Sequence, residues 1–212
     1  LVLTDEAFVN YTFGDVQEIT LTWRITGALN EWVVNLYIPD NEWTYGEFDP
    51  ETNMPIAESR YGEVRFTYSN AEDGIFREGM PTDAGTWWVM AKVAATDDYT
   101  DLDAGPISFT INPVEIPVDT SNLTMSTDYN PTDPMQTVFP EVVGIAEEYG
   151  AQVVLSGNMQ SEANATGDHY TITAALASSN YIWSVDDRTV SALEIQWTID
   201  PYDVKVPIGY DP

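Results

Sequence analysis

Cysteine is absent from this 212-residue chain, which excludes a disulfide framework and thiolate metal sites. Histidine occurs once, at His169, so a zinc site built from His and Cys is excluded as well. A nucleophilic triad would have only His169 as its base. That residue stands out of phase with the apolar row of its segment and is expected at the surface. Basic residues are scarce: 7 Lys and Arg face 35 Asp and Glu, for a net charge of −28. Phosphate recognition needs basic patches, so no nucleic acid is expected as a partner, and an anionic membrane surface is disfavoured. No apolar run approaches the roughly 20 residues of a transmembrane helix, so no membrane insertion is expected in this segment. No signal-peptide pattern is visible, and the chain opens on Leu1, as a piece of a longer polypeptide would.

Aromatic residues, by contrast, are plentiful: 7 Trp, 12 Tyr and 7 Phe. With many Val, Ile and Leu, they supply a core that a disordered acidic chain lacks. The acidic residues are dispersed between apolar runs and are read as a solvated surface that favours solubility. Helical periodicity is nearly absent; only "VVGIAEEYGAQVV" (142–154) can hold a helical turn or two. Alternation with period two prevails instead. Ile19, Leu21, Trp23 and Ile25 form one apolar row, and Val64, Phe66 and Tyr68 a second. Tyr170, Ile172, Ala174 and Leu176 form a third, and Trp87, Val89, Ala91 and Val93 a fourth. Thr, Val, Tyr, Trp and Ile dominate these runs, as a pleated, half-buried surface prefers, and Asp, Asn, Gly and Pro fill the gaps. The fold class is therefore all-β.

One phrase recurs. "NYIWSVDDRTVSALEIQWTID" (180–200) resembles "DYTDLDAGPISFTIN" (98–112) and "NYTFGDVQEITLTWRIT" (10–26). The closing Ile residues, Ile25, Ile111 and Ile199, lie 86 and 88 positions apart. Gly85 to Tyr99 and Gly167 to Tyr181 are both 14 residues. Under that alignment the two preceding strands fall one position out of phase, and a one-residue β-bulge is expected to reconcile them. The boundaries follow: residues 1–25 as the closing hairpin of a preceding repeat, 26–112 and 113–200 as full modules, and 201–212 as the start of another repeat or a tail. "NPVEIPV" (112–118) is the short junction. A module of this length suits a small β-sandwich with its own core.

In order along the chain stand Tyr45-Gly46, Tyr68-Ser69, Pro81-Thr82-Asp83-Ala84-Gly85-Thr86, Asp98-Tyr99 and Thr110-Ile111. The second module answers with "SGN" (156–158), Ala165-Thr166-Gly167, Asn180-Tyr181 and Trp197-Thr198-Ile199. This order resembles the repetitive Ig-like and MBG-type modules of bacterial cell-surface, adhesin-like proteins. The resemblance departs at Thr166-Gly167-Asp168, where "AGT" is the usual wording. It implies tandem Ig-like β-sandwich modules, with a β-grasp-like arrangement of the same strands as the alternative. It also implies an extracellular location at a bacterial cell surface or wall, and no catalytic residues.

Candidate ligand sites are few. Asp97, Asp98, Asp101 and Asp103 crowd the loop "TDDYTDLDAG", and clustered hard oxygen ligands are what calcium uses, although the spacing is not that of an EF-hand. Sugar binding would use flat aromatic platforms, and Trp32, Trp43, Trp87, Trp88 and Trp183 are candidates. Trp87 and Trp88 are adjacent on a strand, so they face opposite sides and one must leave the core. An intramolecular Lys–Asn cross-link needs a buried lysine; Lys92 is expected to point outward, and Lys205 lies in the tail. The sequence thus leads to a non-catalytic stalk or spacer whose partners are neighbouring repeats of the same polypeptide. The alternatives are an adhesin or carbohydrate-binding segment, touching a glycan or a host surface protein, and a self-assembling subunit.

Overall fold

The structure, a computed structural model, describes residues 27–133, 135–162 and 169–201. The orphan hairpin at 1–25, Lys205, the tail at 202–212 and the turn at Ala165-Thr166-Gly167 lie outside the described residues. What is described is mostly β-strand with one α-helix, an all-β chain. No described helix is long and apolar enough to cross a membrane.

Apart from Ala91 and Val93, the buried apolar residues among the described residues fall into two clusters with no member in common. The first comprises Trp43, Tyr68, Val89, Phe109 and Ile111. Its framework is the sheet β2-β6-β5-β4, built from β2 (Glu42–Thr44), β4 (Arg65–Ser69), β5 (Gly85–Val93) and β6 (Leu102–Asn112). A separate pair, β1 (Trp32–Tyr37) with β3 (Ile56–Ser59), contributes Leu36 to the packing. The second cluster draws on residues from Ile116 to Ile199. Its main sheet is β10-β12-β15-β8, from β8 (Thr124–Asp128), β10 (Val153–Gly157), β12 (Tyr170–Leu176) and β15 (Ala192–Asp200). A smaller sheet joins β7 (Val114–Pro117), β13 (Tyr181–Val185) and β14 (Arg188–Val190), and β9 (Met135–Thr137) pairs with β11 (Gln160–Glu162). The helix α1 (Val142–Glu148) stands where the one helix-capable run was found, and buries Val142 and Ala146 in the second cluster.

Alternation decides which side chains are inside. On β15, Leu193, Ile195, Trp197 and Ile199 are buried, each worth about 1.5–3 kcal/mol or more for its apolar surface. On β12, Ile172 and Ala174 are fully buried; on β5, Val89, Ala91 and Val93 are buried while Lys92 is exposed. Alternation does not decide which strands pair. Three pairings are parallel: β2 with β6, β7 with β13, and β8 with β15.

The expected bulge is displaced. Trp87 faces Phe109, and Tyr170 faces Trp197, so β5 and β12 superimpose in phase without any insertion. The extra residue lies after the strand. Four residues (94–97) separate Val93 from Asp98, whereas three (177–179) separate Leu176 from Asn180. A true irregularity does occur, but on β6: Val89 faces Ile107 while Ala91 faces Ala104. Gly105 sits there at φ +99, with Val89 O only 2.8 Å from where a Cβ would stand. A left-handed backbone pressed on a carbonyl is a place for glycine alone.

Candidate interface between the two halves

The phrase that recurs in the sequence builds a contact between the two halves. Asn180 closes the turn after β12 and is only 8% exposed. Its backbone carbonyl accepts from Val114 N at 2.9 Å, which starts the parallel ladder of β7 on β13. Its side chain crosses to the other half. Oδ1 accepts from Ala84 N at 2.7 Å, and Nδ2 donates to Asp83 Oδ1 at 3.0 Å. Asparagine alone among short side chains offers an acceptor and a donor side by side, as this backbone amide and carboxylate require. The next residue, Tyr181, meets Tyr45 edge-on, with ring centroids 5.7 Å apart. Tyr45 is fixed in turn by its N–H on Asn112 O at 2.8 Å, beside the end of β6.

The receiving turn is itself braced. Trp87 Nε1 donates to Asp83 O at 3.0 Å, while the Trp87 ring packs against the first core cluster. Of the adjacent tryptophans, Trp87 is thus the one on the core side. Trp88 lies on the opposite face, between Ser69 and Ser108. Two other platform candidates are corrected by burial. Trp183 is 0% exposed and donates to Ala174 O at 3.0 Å; Trp43 is 8% exposed and stacks on Phe109 at 5.2 Å. Both rings fill cores, because the apolar surface of an indole is worth more inside than as a platform. Trp32 is half-buried on β1, and His169 is exposed.

A matching corner opens the first half. Ala28 N donates to Asp98 O at 2.8 Å, and Ala28 bridges Tyr99 in parallel. Asp98-Tyr99 therefore holds Ala28 as Asn180-Tyr181 holds Val114. Here Tyr99 stacks on Tyr61, with centroids 6.0 Å apart, and Asp98 is exposed. The structure does not gather the four calcium candidates. Asp97, Asp98, Asp101 and Asp103 are all exposed, and Asp103 stands opposite Lys92 across the sheet, 3.7 Å from its ammonium. Among the described residues no group of three His, Cys, Asp or Glu is arranged to hold a metal ion.

The sequence pointed to the corner and the turn as phrases but not to their meeting. The available signal was chemical. "PTDAGT" and "NY" are both polar turns, and of the two corners among the described residues, Asp98-Tyr99 and Asn180-Tyr181, the second carries an amide able to satisfy an Asp. Comparison of the chain with family models, curated proteins and solved structures finds no match.

Proposed function

We propose that this chain is a non-catalytic, extracellular spacer from a bacterial surface protein, in which tandem β modules hold another part of the polypeptide away from the surface. The observation that carries this reading is the junction: Asn180 of one half clamps Asp83 and Ala84 of the other. A spacer needs its modules fixed relative to one another, and two hydrogen bonds with an aromatic contact supply direction as well as affinity. The corner at Asp98-Tyr99 repeats the backbone half of that device at the start of the first module, as a tandem array would. The short link at Pro113 leaves little slack, and the net charge of −28 opposes collapse of the array on itself.

Within this reading the modules at 26–112 and 113–200 are Ig-like or β-grasp-like. Parallel β8–β15 pairing, and a helix sharing the core of that sheet, favour the β-grasp-like form for the second, since a Greek-key sandwich is built from antiparallel sheets. Small-angle scattering of the whole chain at low and high salt tests the proposal. One fixed arrangement of the halves should fit both curves. Curves that require a mixture of folded-back and extended arrangements would overturn it.

A further inference from the structure

We propose that the groove beside Trp88, where β1, β5 and β6 meet, binds a neutral oligosaccharide. The groove has a volume of about 680 Å³, within the range of about 300–1,000 Å³ usual for small-ligand sites. The apolar side chains of Leu36, Ile38 and Ile107, which also pack against the first core cluster, line the groove. Two aromatic rings stand on it: Trp88, half-buried and on the face of β5 away from the core row, and Tyr37, 45% exposed at the end of β1. Asn41, Glu72 and Ser108 complete the rim. Among the described residues, no side-chain hydrogen bond or ion pair engages those three, so an amide, a carboxylate and a hydroxyl are free to serve a ligand.

A sugar ring has an apolar C–H face and a rim of hydroxyls. An indole beside unengaged donors and acceptors matches both parts, the ring receiving the C–H face and the amide and carboxylate taking the hydroxyls. Charge narrows the class further. With −28 overall and Glu72 in the rim, an anionic glycan is repelled, whereas a neutral one loses nothing. This site is separate from the junction: among the described residues no hydrogen bond joins its lining to Asn180 or Asp83.

Titration of the whole chain with cellohexaose, maltohexaose and mannohexaose, followed by calorimetry and amide chemical shifts, tests it, with hexagalacturonate as the anionic probe. At least one neutral probe should bind saturably and shift the amides around Trp88 and Tyr37. Trp88→Ala should weaken that binding by about tenfold or more. Glu72→Gln, at an exposed position, should weaken it without disturbing the fold, and it carries the test should Trp88→Ala not fold. Absence of binding by all three neutral probes overturns the proposal. So does binding unchanged by both substitutions, or tighter binding of the anionic probe.

Discussion

Replacing Asn180 by Asp should separate the two halves without unfolding either. The side chain of Asn180 makes two bonds across the junction, at 2.7 Å to Ala84 N and 3.0 Å to Asp83 Oδ1. The first is a neutral bond worth about 1 kcal/mol, and the second, to a carboxylate, about 1.5–3 kcal/mol. Asn180→Asp removes the donor and sets a second carboxylate against Asp83. At about 4 Å that costs roughly 1 kcal/mol in a water-like dielectric and roughly 4 kcal/mol at a protein surface. The bond to Ala84 N can be kept by the new carboxylate, so the total change is about 2.5–7 kcal/mol, the larger figure an upper bound because Asp83 is exposed and can turn away. No residue belongs to both core clusters, so this loss falls on the junction. Backbone ¹⁵N relaxation measures it: the wild-type halves should share one tumbling time, and the variant should show two shorter ones with its amide spectrum still dispersed. Adding Asp83→Asn should restore joint tumbling, because the new amide at position 83 can donate to the new carboxylate at 180. A single tumbling time in Asn180→Asp alone would refute the reasoning and leave the junction to the Tyr45–Tyr181 contact.

Three further outcomes are expected. Trp183→Ala, which empties a site with 0% exposure and removes the indole's hydrogen bond to Ala174 O, should cost about 3–5 kcal/mol by denaturant unfolding, confined to the C-terminal half. Burial pushes the Tyr68 phenol up to about 12 from its ordinary value near 10, so the folded state keeps its proton longer than the unfolded chain. Its contribution is therefore intact below pH 10 and is lost as pH rises toward 12, and Tyr68→Phe should flatten that part of the stability–pH curve. Because the carboxylates at Asp97, Asp98, Asp101 and Asp103 are not brought together, calcium should raise the melting temperature no more than magnesium at equal ionic strength. A selective rise abolished by Asp101→Asn would contradict this.

How much of this was legible in the sequence depends on what kind of information each feature carries. Alternation in "ALEIQWTID" and "YTITAAL" encodes inside against outside, and the buried rows at Ile195, Trp197, Ile172 and Ala174 follow it. Partner choice is not encoded in period two, so the parallel pairings of β8 with β15 and β2 with β6 could not be read from it. The out-of-phase strands looked like a bulge because a gapless alignment forces every length difference into whichever segment is being compared. The structure places that residue in the loop 94–97, where an insertion disturbs no ladder. Trp183 and Trp43 were ambiguous for a related reason: a tryptophan is the same residue in a core and on a platform, and only the third dimension separates the two. The junction was half legible. Both of its phrases stood out, but a bond between positions 83 and 180 crosses 97 residues and leaves no local pattern.

The fixed junction is the central claim, and a distance across it is its most direct test. The absence of native cysteine makes the labelling clean. Glu58→Cys on β3 and Glu194→Cys on β15 place nitroxides at exposed positions, one in each half. Double electron–electron resonance should then return one narrow distance distribution, which broadens in Asn180→Asp and narrows again when Asp83→Asn is added. A broad distribution in the wild-type background would contradict the account.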